Sequence, residues 1–263
     1  MNILQEIAKY AKERVEAKKK VLPLQKLMEM THGDGAAAAD FPFEKALRSK
    51  DIAFICEVKK ASPSKGIIAG DFPWLDIAKD YEAAGAAAIS VLTEPRYFKG
   101  DDRFLREIAV TVSIPLLRKD FTIDSYMIYE AKALGASAVL LICSILDPKT
   151  LSEYVSIAHS LGLSALVEVH DEDELEMAVN SGTRIIGVNN RNLKTFEVDT
   201  GVSIRLRKLA PDNVVFVSES GIRTAGDINI LRKNGVDAVL IGETLMRSSD
   251  KKKTLSSLRG GLA

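Results

Sequence analysis

The sequence is poor in the residues that carry redox, metal or membrane chemistry. Its 263 residues hold only two cysteines and three histidines. Cys56 and Cys143 each lie inside an apolar, strand-like run. They read as small buried hydrophobes in a reducing compartment, not as a disulfide. With histidine only at positions 32, 159 and 170, no His-based metal site is visible. Neither sign of charge prevails, since 36 basic residues meet 36 acidic ones. That balance speaks against a nucleic-acid or membrane-surface footprint. No apolar run reaches the ~18 residues a membrane span requires, and residues 1–30 are charged at helical spacing, unlike a signal peptide. A Gly-rich dinucleotide turn after a strand is also missing, which counts against a doubly wound open sheet. The expectation is a cytoplasmic protein acting on a small molecule, with no nucleic-acid or membrane partner, and a monomer.

What is present is ordinary globular composition, 46% hydrophobic and 27% charged. Residues 2–20 place Ile3, Leu4, Ile7, Ala8, Ala11 and Val15 at helical spacing and end in Lys18, Lys19 and Lys20, which suit a helix C-terminus. Pro23 restarts a short helix through Leu24, Leu27 and Met28. Residues 31–42 read as a loop or a weak helical turn, and 43–49 as another short helix. From there the chain repeats. Apolar, β-rich runs fall at 52–59, 87–92, 114–118, 137–143, 164–169, 184–189, 214–219 and 238–242, with helical patterns between them and a last helix near 254–258. Gly85, Gly135, Gly162, Gly182 and Gly235 follow helices where a left-handed residue would end them. Eight strands alternating with eight helices predict an α/β fold, a (β/α)8 TIM barrel. Residues 1–263 are expected to form one barrel domain, with no fused second barrel. Its N-terminal helical extension, residues 1–50, would pack over the barrel mouth.

Active sites in such barrels lie at the C-terminal strand ends. Alternation along strand 1 sets Glu57 and Lys59 in line with Ile55. Burying an acid–base pair without need is unfavourable, so the pair calls for a chemical explanation. By the same parity Lys119 follows Leu117 on strand 3, Glu168 follows Leu166 on strand 5, and Glu219 follows Val217 on strand 7. On strand 6, Asn189 is in the inward register with Arg191 just beyond. Acids and bases converging from five strands would shift one another's pKa values, as general acid–base chemistry needs. Ser220-Gly221 after strand 7 and Gly242-Glu243 after strand 8 stand where such barrels hold phosphate, and Ser62 after strand 1 can add a hydroxyl. His170 lies past its strand end and is expected to have a local structural role. Asp171 to Glu174 suit a helix N-terminus, and Lys251 to Lys253 a solvated surface.

These strand ends closely resemble the indole-3-glycerol phosphate synthase family. The likeness rests on Glu-Val-Lys-Lys-Ala-Ser-Pro-Ser at 57–64, Leu-Thr-Glu at 92–94, Tyr-Phe-Lys-Gly at 97–100 and Leu-Arg-Lys-Asp-Phe at 117–121. It continues in Leu-Val-Glu-Val-His at 166–170, Gly-Val-Asn-Asn-Arg-Asn-Leu at 187–193, Ser-Glu-Ser-Gly-Ile at 218–222 and Leu-Ile-Gly-Glu at 240–243. The resemblance implies conversion of 1-(2-carboxyphenylamino)-1-deoxyribulose 5-phosphate to indole-3-glycerol phosphate, with loss of carbon dioxide and water and without cofactor or metal. It implies that Lys119 protonates the ketose carbonyl oxygen as the aromatic carbon attacks, and that Glu168 stabilises the developing cation or acts as a base. Glu57 and Lys59 would serve dehydration, Asn189 and Glu219 would hold substrate hydroxyls, and Arg191 would meet the anthranilate carboxylate. Ser62, Gly221, Gly242 and the backbone of Glu243 would hold phosphate, with Ser220 nearby, while Phe98, Phe121 and Leu140 line an aromatic slot. A lysine beside other cations would have a lowered pKa suited to giving its proton. Ala61 and Glu243 replace a base and a serine of some members, without consequence for a site that uses the backbone at 243.

Three rivals are weaker. An Amadori-type isomerase would need a Cys or Asp base at strand 1, yet Cys56 has the outward parity. A Schiff-base aldolase would use Lys59 or Lys119 and would be trapped by borohydride. A non-catalytic phosphosugar-binding barrel would be expected to lose some charged strand ends, and none is missing.

Overall fold

A computed structural model describes residues 3–31, 40–192 and 195–260. Eight parallel strands form a closed barrel: β1 (Ala53–Val58), β2 (Ala88–Leu92), β3 (Leu116–Lys119), β4 (Ala138–Ile142), β5 (Ser164–Val169), β6 (Ile185–Asn189), β7 (Val215–Glu219) and β8 (Ala238–Ile241). β1 closes the ring between β8 and β2, with Ile55 opposite Leu240 on one side and Ala88 on the other. The strands are apolar almost throughout because both faces are covered. Ile55, Leu117, Leu140, Leu166, Val217 and Leu240 fill the barrel interior. Phe54, Cys56, Val139, Val167, Phe216 and Val239 belong to the separate layer between strands and helices. Both thiols are therefore buried, and desolvation pushes them above the ordinary cysteine value, Cys56 to about 12.

The helices of the repeat are α4 (Trp74–Ala83), α5 (Asp102–Ala109), α6 (Ser125–Ala133), α7 (Pro148–Ser160), α8 (Glu172–Asn180), α9 (Gly201–Arg207) and α10 (Ala225–Lys233), followed by α11 (Glu243–Met246) and α12 (Lys251–Leu258). Asp101, Asp124, Asp147 and Asp171 each cap the helix that follows by accepting a backbone N–H, a contact worth about 1 kcal/mol against alanine. The five glycines expected after helices all have positive φ, from 72° to 87°. Three short elements carry no periodic signal in the sequence: the single turn α11, a 3-10 turn at Cys143–Ile145, and a hairpin of residues 61–62 with 66–67 inside the Ser-Pro-Ser loop. Among the described residues, no helix is long and apolar enough to cross a membrane.

The N-terminal extension reaches both ends of the barrel. α1 (Ile3–Val21) borders the mouth with Ile3, Leu4 and Ile7, and α2 (Leu24–Thr31) packs along α6. The 31–42 connection falls largely outside the described residues. α3 (Pro42–Leu47) lies at the opposite end, where its buried Phe43 and Leu47 join the interior cluster. There Glu44 pairs with Arg184, just before β6, at 2.6 Å, and Arg48 donates to the Asn213 carbonyl, just before β7, at 2.9 Å. The barrel is thus plugged below and open above.

Candidate active site

The open end holds a cavity of about 420 Å³, within the range of small-molecule sites. Every residue given a catalytic or substrate-binding role from the sequence lines it: Glu57, Lys59, Ser62, Phe98, Lys119, Phe121, Leu140, Glu168, Asn189, Arg191, Glu219, Ser220, Gly221, Gly242 and Glu243. The apolar stripe of α1 adds Ile3, Leu4 and Ile7, and Arg223 and Arg247 also reach it. The stripe was visible as amphipathic spacing, though the cavity it faces was not. The two arginines have no distinguishing pattern.

Lys119 is the centre of charge. Its Nζ lies 2.9 Å from Glu168 Oε2 and 3.1 Å from Glu219 Oε2. The Asn189 amide donates to the other Glu168 oxygen at 3.3 Å. Across the mouth Lys59 and Glu57 form a close ion pair. The expected lowering of the Lys119 pKa is overturned. Desolvation does push it down, but attraction to Glu168, Glu219 and Glu57 outweighs that and holds the ammonium well above the ordinary lysine value. Its neighbours are carboxylates, not cations. Glu168 is desolvated too, yet Lys119, His170 and the Asn189 amide keep its carboxyl below the usual range. Glu219 has the weaker share of one ammonium. Burial, with the charges of Glu168 and Glu57, raises its carboxyl to about 7 despite Lys119.

A carboxyl raised on folding holds its proton more tightly in the folded state. The stability it contributes therefore falls as pH rises from the unfolded carboxyl range to about 7, then levels off. Glu219→Gln, which cannot ionise, is expected to melt above the wild type at pH 8, with the advantage shrinking toward pH 5. Thermal melts across that range would show it, and a constant offset would refute the assigned titration.

Small residues give these side chains room. A Cβ on Gly187 would fall on Glu219 Oε1, and one on Gly242 would fall on Glu57 Oε2 and 2.8 Å from Lys59 Nζ. Gly242→Ala should therefore break the Glu57–Lys59 pair and lower kcat/KM on the order of 10²-fold, as misplacement by about an ångström does. Steady-state kinetics beside a circular-dichroism melt would separate that loss from unfolding.

The loops are held by buried polar groups. Glu94, fully buried, accepts the backbone N–H groups of Arg96, Tyr97 and Phe98 at 2.6–2.9 Å, which presents the Phe98 ring 6.0 Å from that of Phe121. Asn190 donates to Ser218 Oγ at 3.0 Å and the Ser220 carbonyl at 3.1 Å. It also accepts from the Ser203 N–H and hydroxyl at 3.1 and 2.8 Å. That network fixes Asn189 and Arg191 on either side of Asn190, and the turn at Ser220 and Gly221. Both turn residues are left-handed, at φ 69° and 86°, a costly conformation for serine that clusters at functional sites. Arg191 donates its N–H to Asn189 Oδ1 at 3.0 Å and a guanidinium N–H to the Phe196 carbonyl at 3.3 Å.

The site thus has an apolar slot, a group of coupled acids and bases, and a polar rim after β1, β7 and β8. A profile of the family described as indole-3-glycerol phosphate synthase matches residues 4–258. An indole-3-glycerol phosphate synthase of Ruminiclostridium cellulolyticum is 59% identical over 258 residues, covering 98% of this chain and 99% of the relative. One from Lachnoclostridium phytofermentans is 48% identical over 98% of each chain. Among solved structures, a 3-hexulose-6-phosphate synthase superposes with TM-score 0.65 at 14% identity, over 81% of this chain and 100% of that one. The Pyrococcus furiosus tryptophan synthase complex gives 0.61 at 16%, over 80% and 99%. Likeness at that identity shows the barrel alone, whereas the family profile and the sequence relatives cover nearly the whole chain. The chain belongs to the indole-3-glycerol phosphate synthase family.

Proposed function

We propose that this chain closes the indole ring of 1-(2-carboxyphenylamino)-1-deoxyribulose 5-phosphate, releasing carbon dioxide and water to give indole-3-glycerol phosphate. The observation that carries the division of roles is Lys119, an ammonium held between Glu168 and Glu219 beside the Phe98–Phe121 slot. Lys119 delivers a proton to the ketose oxygen as the aromatic carbon attacks. Its raised pKa keeps it charged at neutral pH, and the alkoxide developing on that oxygen is basic enough to take the proton. Glu168 stabilises positive charge building on the anilino nitrogen or acts as a base. The Glu57–Lys59 pair serves dehydration, while Asn189 and Glu219 orient hydroxyls.

The flat anilino ring fits between Phe98, Phe121 and Leu140, with Arg191 supplying the cation for its carboxylate. The phosphate goes to Ser62, Gly221, Gly242 and the N–H of Glu243, with Ser220 nearby; Arg223 and Arg247 add positive charge to that rim. All of these steps are proton transfers and electrostatic stabilisation by side chains of the chain itself. Balanced charge and buried free thiols support a cytoplasmic enzyme that acts on a small molecule and not on nucleic acid. We take it to act as a monomer, which sedimentation at working concentration would check. The decisive experiment supplies the carboxyphenylamino-deoxyribulose phosphate to the folded protein and follows indole fluorescence and carbon dioxide release together. Fluorescence growing in step with gas supports the reading, and a folded protein that yields neither refutes it.

A further inference from the structure

We infer that Tyr81 is a positioning residue for the reaction: its buried hydroxyl completes the hydrogen bonding of β1 where β8 leaves off, and so fixes the Glu57–Lys59 pair. The inference rests on the part in dehydration proposed above for that pair.

Tyr81 lies on α4, fully buried in the layer between strands and helices. Packing alone would be met by phenylalanine, since a phenol buried without a partner costs free energy. This hydroxyl has a partner. It lies 3.2 Å from the backbone carbonyl oxygen of Glu57 and 3.4 Å from Met246 Sδ. A phenol has one hydrogen to give, and a thioether is only a weak acceptor, so the hydrogen goes to the Glu57 carbonyl. Burial pushes the phenol well above its ordinary pKa, so it remains a donor at neutral pH.

The ladder between β1 and β8 shows why that carbonyl calls for a side chain. Ala53 donates its N–H to the Asp237 carbonyl on the β8 side, whereas the Phe54 carbonyl accepts from Ala87 on the β2 side. Alternation then turns the carbonyls of Ile55 and Glu57 toward β8. The register pairs Ile55 with Leu240 and Cys56 with Ile241, and there it stops. One rung further, the Glu57 carbonyl would meet the N–H of Glu243. But β8 ends at Ile241, and residue 243 opens the turn α11 instead. On the other edge Glu57 still pairs in register with Ser90 of β2. The strand end that carries the acid is therefore held by β2 on one side and by the Tyr81 hydroxyl on the other.

The parting of β1 and β8 gives the acid–base pair its place. The Glu57 carboxylate and the Lys59 ammonium lie over Gly242, where a Cβ would collide with both. Glu57 is almost wholly buried and in close contact with Lys59, so a shift of its backbone passes directly into the pair. Met246, on α11, touches the same phenol, so one side chain meets both walls of the gap. Without the hydroxyl the Glu57 carbonyl loses this donor, and the end of β1 moves with the pair it carries.

On the reading above, carbon dioxide leaves as the benzene ring regains its aromaticity. Water leaves afterward, from the hydroxyl that ring closure has made. Disturbing the Glu57–Lys59 pair should therefore delay indole and spare the gas. In a single turnover, Tyr81→Phe should release carbon dioxide at the wild-type rate while indole fluorescence grows roughly tenfold more slowly, within the ~10²-fold that misplacement by about an ångström costs. Tyr154→Phe is the matched control. That tyrosine also donates its hydroxyl to a backbone carbonyl, that of Ile123, at 3.1 Å, away from β1. It should lose a comparable amount of melting temperature and keep both rates. A Tyr81→Phe enzyme whose gas and indole rates match those of Tyr154→Phe overturns the inference. So does one in which both signals slow equally, which would put the damage at ring closure. Glu57→Gln guards the underlying reading. If it leaves the ratio of gas to indole rates unchanged, the pair has no special part in dehydration and that reading fails; if it delays indole while Tyr81→Phe matches the control, the positioning by Tyr81 alone falls.

Discussion

Replacing Lys119 by alanine should abolish turnover and leave a folded protein that still binds a substrate analogue. Loss of a positioned general acid costs on the order of 10²–10⁴-fold in rate. Binding should change far less, because the slot of Phe98, Phe121 and Leu140 and the rim after β1, β7 and β8 do not depend on the ammonium. Activity within tenfold of wild type would sink the assignment. Lys119→Arg is the sharper companion. It preserves the charge between Glu168 and Glu219, so the variant should fold like the wild type, but a guanidinium scarcely gives up a proton and its planar fork cannot replace a point donor.

The alanine variant also has a pH signature. Without the ammonium, Glu168 and Glu219 lose the cation that offsets their burial, and their carboxyls move upward. A raised carboxyl contributes stability at low pH and loses it as pH rises. Lys119→Ala should therefore melt near the wild type around pH 5 and fall below it toward pH 8. A deficit that does not change with pH would mean that the ammonium is not what balances these carboxylates.

How much of this was legible depended on the range of the interaction. Strand positions came from local apolar runs, and alternation within one strand placed Glu57, Lys119, Glu168, Asn189 and Glu219 inward, because a period of two is set by the backbone alone. The turn α11 is too short to show a helical period, and the hairpin after Lys59 has too few residues per strand to alternate. Phe43 and Leu47 marked an apolar helix face without saying which end of the barrel it would close. The error over Lys119 has the same origin. Arg118 adjoins Lys119 and Lys59 ends another strand, but Arg118 has the opposite parity and Lys59 is neutralised by Glu57, so the charges that act on Lys119 arrive from strands far along the chain.

Another long-range connection anchors the extension to the site. Asp120, between Lys119 and Phe121, is 1% exposed. Arg14 of α1 grips it with N–O distances of 2.7 and 3.2 Å, Thr93 donates its hydroxyl at 2.7 Å, and the Phe121 N–H donates at 2.8 Å. Beside it the buried Arg118 holds Asp102 at 2.8 Å and Glu130 at 2.7 Å, and Lys18 of α1 pairs with both of those acids. Desolvation would raise the Asp120 carboxyl, but Arg14 and Arg118 overcome it and hold it below the usual range. Arg14→Ala leaves a buried carboxylate half-compensated and should cost on the order of 3 kcal/mol. The sign follows from the lowered pKa. The pair's contribution is complete above the unfolded aspartate value of about 4 and is lost as pH falls through the folded one, so the deficit should be largest at neutral pH and shrink in acid. Activity should fall with stability, because the same carboxylate fixes the turn that carries Lys119 and Phe121. The double change Arg14→Met with Asp120→Leu separates the two effects. Apolar side chains there can recover much of the lost stability, whereas the Phe121 N–H and the Thr93 hydroxyl lose their acceptor, so kcat should stay low. A double variant that regains both melting temperature and kcat would show that the ion pair serves the fold alone; one that regains only the first would show that α1, through Arg14, is part of the catalytic scaffold.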